Sequence, residues 1–241
     1  MIRAMAFERI AVCDSQGHPD AKSYIAKNDL CAVGDRTLSG LWPVTYPTAK
    51  GRKTRWVKSL KGFLCNQNSY PTVKYPAVGY ADATVKTSGC GLCSLIHALG
   101  ALKGTAPDVR TAAAFAMAWG ARVPGGTNMK TLLTHASARW GFRYTTTSSA
   151  DELLLHLKKG GTAICNVAGR GMFSAGGHYM AVLGTTEGKL CIADSGLYVG
   201  KYSTAKRKTA VTVSGDLIFA SPAVLDADCV GRTPRYYLLE T

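Results

Sequence analysis

The segment Thr87–Leu99, TSGCGLCSLIHAL, places Cys90 where a glycine-led turn gives way to an apolar run of helical length. A cysteine at a helix start faces unpaired backbone N–H groups and the positive end of the helix dipole. Both favour the thiolate, the nucleophilic form of the side chain. The same N–H groups can hold the oxyanion of a tetrahedral intermediate. From this segment alone two readings stand: a nucleophile, or a half-buried structural cysteine.

A thiolate needs a proton acceptor. His178 lies in SAGGHYMAVLG, where glycines lead into an apolar strand pattern. A histidine at the mouth of a core strand can face a cleft while its neighbours fill the core. An imidazole works best when a third group fixes its tautomer and supports its charge. Asp194 in CIADSG ends the next strand-like run. A turn near Thr185–Gly188 would set His178 and Asp194 side by side on adjacent antiparallel strands. The other histidines fit worse. His97 is two helical turns beyond Cys90, His135 and His156 sit in amphipathic helical patterns, and His18 is a turn residue.

Cys90 and Cys93 also match the redox pattern C-x-x-C, but the preceding ADATVKTSG is polar and loop-like where such a site needs an apolar strand. A zinc site would need a second ligand pair, and no second C-x-x-C or H-x3–5-H occurs. Cys93 is expected to pack on the inner face of the helix. No phosphate-binding loop and no dinucleotide fingerprint is present, so no cofactor or metal is expected.

The elements that must position these groups follow from pattern. Residues 1–64 read as short strands broken by Gly, Asp and Pro, a pattern that a small all-β barrel would bury. Residues 66–89 form a Tyr- and Pro-rich connection. Helical patterns then run through CGLCSLIHALGALKG, PDVRTAAAFAMAWGA (with Pro107 and Asp108 in its first turn), TNMKTLLTHASARWG and ADELLLHLKKG, the last capped by Ser149. TAICNVAG, HYMAVLGTT, KLCIADSG, TAVTVSG and RYYLLE read as strands. The expected class is α+β, helices first and then an antiparallel sheet.

Composition sets the bounds. The 241 residues are 46% hydrophobic, within the globular range, and carry 29 Lys and Arg against 15 Asp and Glu. The net charge of +14 divides as +6 over residues 1–65 (11 basic, 5 acidic) and +8 over residues 66–241 (18 basic, 10 acidic). A basic surface spread this evenly favours anionic partners without marking one DNA-reading element, and no nucleic-acid-binding motif is present. Eight scattered cysteines fit reduced thiols better than a disulfide framework, and Cys165 and Cys191 sit in core-like strands. No stretch is long and apolar enough for a membrane span, and the N-terminus lacks signal-peptide character. Synthesis in the cytoplasm is therefore expected.

SGCG before an apolar helix, then GGHYMAVLG, then IADSG resembles the papain-like cysteine peptidases related to bacteriocin leader peptidases. The closer likeness is to those of phage lysins and bacterial cell-wall hydrolases. It runs from about Cys65 to Asp194, with a tail to the C-terminus. The resemblance implies Cys90 as nucleophile, His178 as base and Asp194 as orienting group. It implies a peptidoglycan endopeptidase or amidase as the activity. It also implies an upstream Gln in the oxyanion hole, for which Gln67 in CNQNSYP is the match. The spacing usual in papain itself lands on Thr84, which has no amide, and Leu92–Cys93 stands where relatives often carry Pro-Thr. GLWPVTYPTAKGRKTRWVKSLKGFL resembles the bacterial SH3-like wall-binding barrels. This implies a separable binding module at 1–64, a catalytic domain at 65–241, and anionic cell-wall polymers as partners reached after release from the cell. Two rivals remain at this point: a cytoplasmic peptidase acting on proteins or leader peptides, and a catalytically silent wall-binding protein.

Overall fold

Short turns cut residues 2–57 into strands too brief to stand alone. The computed structural model, which describes residues 2–241, assembles them as β1 (Ile2–Met5), β2 (Ile10–Cys13), β3 (Pro19–Ile25), β4 (Leu30–Val33), β5 (Trp42–Thr48) and β6 (Gly51–Val57). They form one antiparallel sheet in the order β1-β4-β5-β6-β2-β3. Along β5 the apolar residues Trp42, Val44 and Tyr46 alternate inward against Pro43 and Thr45, the period-two signature of a half-buried strand.

After the connection come a short helix α1 (Val85–Ser88), then α2 (Cys90–Lys103) and α3 (Val109–Ala118). A two-residue hairpin, β7 (Arg122–Val123) and β8 (Gly126–Thr127), leads into α4 (Met129–Trp140). Beyond it lie β9 (Arg143–Thr147), α5 (Ala150–Lys158), β10 (Thr162–Val167), β11 (His178–Thr186) and β12 (Lys189–Ala193). The chain closes with α6 (Ala205–Ala210), β13 (Val211–Ser214), β14 (Leu217–Ala220), α7 (Pro222–Cys229) and β15 (Tyr236–Glu240). The second sheet is antiparallel throughout, in the order β13-β14-β12-β11-β10-β15-β9. The protein is thus a mixed α+β structure with seven α-helices among the described residues. No helix of these residues is long and apolar enough to cross a membrane.

Four details differ from the sequence pattern. Asp108 precedes α3 as its N-cap, accepting from the N–H groups of Arg110 and Thr111, where a first-turn position was expected. The strand β9 interrupts the helical region and pairs with β15 at the sheet edge. The residues of TAVTVSG divide between the end of α6 and β13. The short helices α1 and α7 fall in stretches that carry no helical period long enough to see.

α2 is apolar on every face, with Gly91 through Leu102 buried, as expected of a helix enclosed by protein. It touches β10 and β11 of the second sheet and β1 and β4 of the first. A side chain at Gly100 would meet Met5, its Cβ only 3.0 Å from that of Met5. Trp42 stacks on Phe219 at 5.2 Å and donates from Nε1 to Ser214 Oγ at 2.9 Å. Gly62 N–H donates to Asp216 at 2.6 Å, and the Thr186 hydroxyl bonds Asp35. One apolar cluster therefore runs from Ile2, Val33 and Trp42 through Leu95 and Ile96 to Ala181 and Phe219. The first sheet, over the stretch expected from the sequence to be a separable module, shares its apolar core with the rest of the chain.

Candidate active site

Cys90 is the first residue of α2, and Gly89 before it ends α1. The two helices meet without a loop, so the thiol projects from the seam. Gly91 lets the start of α2 approach β8, since an added Cβ would lie 2.7 Å from Thr127 Cβ. His178 begins β11 and Asp194 follows β12. The turn between these strands joins Thr186 to Lys189, and a bulge between Val182 and Gly184 shifts the register. His178 Nε2 bonds Asp194 Oδ1 at 2.8 Å, which leaves Nδ1 for the thiol of Cys90. The His178 side chain is 9% exposed and that of Asp194 is fully buried, while Cys90 is half-buried.

The electrostatics follow from these contacts. Burial disfavours a charged Cys90. The hydrogen bond to His178, its positive charge and the N–H groups of Tyr179 and Gly91 outweigh that cost and lower the thiol below its usual range. Burial likewise opposes charge on His178, but the bonds to Asp194 and Cys90 push it up to about 9. Burial alone would raise Asp194. His178 and Lys201 instead hold it far below the usual carboxylate range. The arrangement favours a thiolate–imidazolium pair braced by an ionised carboxylate.

Asp194 has more partners than the sequence suggested. Oδ1 also accepts from Gly196 N–H at 3.0 Å. Oδ2 accepts from Lys201 Nζ and from the Tyr202 hydroxyl, both at 2.6 Å. Lys201 and Tyr202 went unnoticed in the sequence because lysines are rarely buried unless paired. The signal was present as a loop, DSGLYVGKY, in which a strand-end Asp is followed closely by a Lys–Tyr pair.

Gln67 lies in a single 3-10 turn and joins the two halves of the site. Its N–H donates to the Ser195 carbonyl at 2.8 Å, and its Oε1 accepts from Ser195 Oγ at 3.2 Å. Its Nε2 donates to the Lys86 carbonyl at 2.9 Å, on α1 just ahead of Cys90. The structure thus brings Cys90, His178 and Asp194 into one contact chain and ties Gln67 to the residues flanking it.

The remaining candidates are engaged elsewhere. Cys93 is fully buried, with its sulfur 3.9 Å from that of Cys65, so it points away from Cys90 into the core. His97 Nε2 accepts the Cys65 N–H at 3.1 Å, and burial lowers its pKa to about 4. His135 stacks on Trp119 at 4.1 Å, His156 bonds the carbonyls of Thr162 and Leu239, and His18 bonds Asp14.

Compared with known proteins, the chain matches no family model and no curated sequence.

Proposed function

We propose that this protein is a cysteine peptidase of the papain-like type that cleaves peptide or amide bonds in peptidoglycan. Residues 1–64, whose sequence resembles the SH3-like wall-binding barrels, would help hold it on the wall. The observation that carries the reading is the Cys90–His178–Asp194 contact chain at the start of α2, with its charge distribution set for a thiolate.

The reaction follows from those groups. The Cys90 thiolate attacks the carbonyl carbon, and the oxyanion is held by N–H groups at the start of α2. One N–H of the Gln67 amide is taken by Lys86, and the second is the donor that would complete the oxyanion site. The His178 imidazolium gives its proton to the leaving nitrogen as the C–N bond breaks and a thioester forms. His178, now neutral, takes a proton from water, whose oxygen attacks the thioester. The acid product leaves and the thiolate–imidazolium pair is restored.

Purified peptidoglycan incubated with the protein and examined by mass spectrometry tests the reading. New amino and carboxyl ends at one bond type are expected with the wild type and not with Cys90→Ser. Cleavage of denatured protein with intact walls would move the substrate to the cytoplasm. Cys90 that reacts with iodoacetamide only as an ordinary thiol, half-ionised near about 8.5, would overturn the peptidase altogether.

A further inference from the structure

Lys201 carries a buried charge whose counter-ion is the carboxylate already engaged by His178. Its side chain is 8% exposed, and its Nζ lies 2.6 Å from Asp194 Oδ2 and 3.3 Å from the Gly196 carbonyl. Arg207 holds the loop in place by donating to the Lys201 carbonyl at 2.6 Å. Asp194 is thus shared between two cations, the His178 imidazolium on Oδ1 and the Lys201 ammonium on Oδ2. Simple burial does not call for this: a carboxylate could be satisfied by Gly196 N–H and Tyr202 alone, without the cost of enclosing a second charge.

We propose that Lys201 is a positioning residue that tunes the candidate active site, drawing off part of the Asp194 charge and so keeping the His178 proton transferable. The inference rests on the peptidase reading above. A histidine facing an uncompensated buried carboxylate would hold its proton more tightly and give it less readily to a leaving group. The cation behind the carboxylate offsets that field. It also adds positive potential at Cys90.

The other charged and titratable groups around the pair come from several elements: Arg232 lies against Gly177 beside His178, Arg122 donates to Ser88 Oγ two residues before Cys90, and Tyr75, Cys93 and Tyr179 lie near the thiol. Cys90 faces His178 from α2. Tyr202 bonds Asp194 from the same loop as Lys201, and its own pKa is raised by burial and by Asp194, so it stays a neutral donor. Arg207 on α6 lies over the Tyr202 ring. His97 on α2 is kept neutral by burial. Lys201 and Tyr202 also line a cavity of about 720 Å³, together with Lys208 and Asp216.

That cavity provides a direct test. Lys201→Ala removes three methylenes and the ammonium and leaves a gap opening on it. Propylammonium, which has the same three carbons and charge, should refill that gap. Iodoacetamide alkylation of Cys90, mapped by mass spectrometry across pH, is the readout and requires no substrate. Lys201→Met should move the Cys90 midpoint and the alkaline limb set by His178 upward, the latter by on the order of one pH unit. Lys201→Arg should keep the wild-type profile. Propylammonium should return the Lys201→Ala profile toward wild type, and propanol should not.

Unmoved limbs in a folded Lys201→Met protein, or equal effects of propanol and propylammonium, overturn the inference and leave the peptidase reading intact. An ordinary Cys90 titration in the wild type overturns the peptidase reading itself. If Lys201→Met and Lys201→Ala do not fold, Asp194→Asn and Asp194→Asn/Lys201→Met decide, because the double variant buries neither charge. Without the carboxylate, the lone ammonium should depress the His178 limb, and the double variant should bring it back up by about the same unit. Identical profiles for the two would overturn the inference.

Discussion

Cys90 and Cys93 have the same chemistry and opposite surroundings, so substitution separates them. Cys90→Ser should lose at least about a thousandfold in wall-hydrolysis rate while keeping its melting temperature, since a hydroxyl is a far weaker nucleophile here. Cys93→Ala should retain activity and lose stability, because its sulfur fills core space beside Cys65. His178→Ala should fall as far as Cys90→Ser, since nucleophile and base act as one unit. Gln67→Ala should lower the rate by roughly 10²–10³ and leave iodoacetamide labelling of Cys90 unchanged, because an oxyanion donor acts only on the transition state. Normal turnover in Gln67→Ala would assign the oxyanion site to backbone N–H groups alone.

The residue environments also fix the dependence on pH. The active form has Cys90 ionised and His178 protonated, so activity should fall on the alkaline side near pH 9, where His178 gives up its proton. Stability carries the same signs. His178 rises from 6.5 to about 9 on folding, so its contribution is full below 6.5 and declines as pH rises toward 9. His97 falls from 6.5 to about 4, so its contribution is full above 6.5 and declines as pH falls toward 4. Asp194, lowered on folding, begins to lose its contribution only below its usual 3.8. Thermal melts should therefore peak between pH 6 and 7, the region around 6.5 where both histidine contributions are near full. His97→Gln should flatten the acid side.

At the scale of elements, the site depends on how closely the start of α2 seats against β8. Gly91→Ala would press a methyl into Thr127, which is itself bonded through Oγ1 to the Tyr75 hydroxyl at 3.0 Å. Overpacking of this kind costs about 1–3 kcal/mol. Because Cys90 adjoins the displaced residue, activity should drop more than the melting temperature implies. The slowed alkylation of Cys90 would record the shift.

Elements with their own pattern were readable in advance. The boundaries of α2 and α5 came from an apolar run ending at Gly104 and from the Ser149 cap. The adjacency of His178 and Asp194 came from the short β11–β12 turn. Elements made by distant pairing were not readable. β9 reads RYTTT, mostly exposed and without apolar alternation, and is a strand because β15 lies beside it. The eight residues of α7 are too few to show a period. Lys201 was hidden for a related reason: the spacing in DSGLYVGKY puts a lysine near Asp194, but that Asp194 is buried follows only from the seating of β12 between β11 and β14.

At the scale of the molecule, the shared core changes what a truncation can test. Removing residues 2–64 would uncover the faces of α2 and β14 that β1, β4 and Trp42 now bury. The remaining chain should be insoluble or melt without cooperativity. Trp42→Ala alone should cost roughly 3–5 kcal/mol. A soluble, folded and active 65–241 fragment would show that this packing is dispensable. Wall binding therefore has to be tested on the full chain, through surface charge. Of the six cations between Lys50 and Lys61, Lys53 and Arg55 are already committed to Asp20, at 3.8 and 2.7 Å. Arg52 is held by the carbonyls of Leu30 and Thr45. Lys50, Lys58 and Lys61 remain exposed; no acid lies between Pro47 and Asn66 in the sequence, and in space Asp216 lies near Lys61. Each exposed charge is worth little alone, so single substitutions should be nearly silent. The triple change Lys50→Glu/Lys58→Glu/Lys61→Glu alters the net charge by six and should release the protein from sedimented walls at low salt. The wild type should bind at low salt and be released as added salt shortens the screening length to a few ångströms, about 3 Å at 1 M. Hydrolysis of a small soluble amide should be equal in the two proteins, because none of the three lysines belongs to the Cys90–His178–Asp194 site. Equal sedimentation of both proteins at low salt would show that these lysines do not hold the wall.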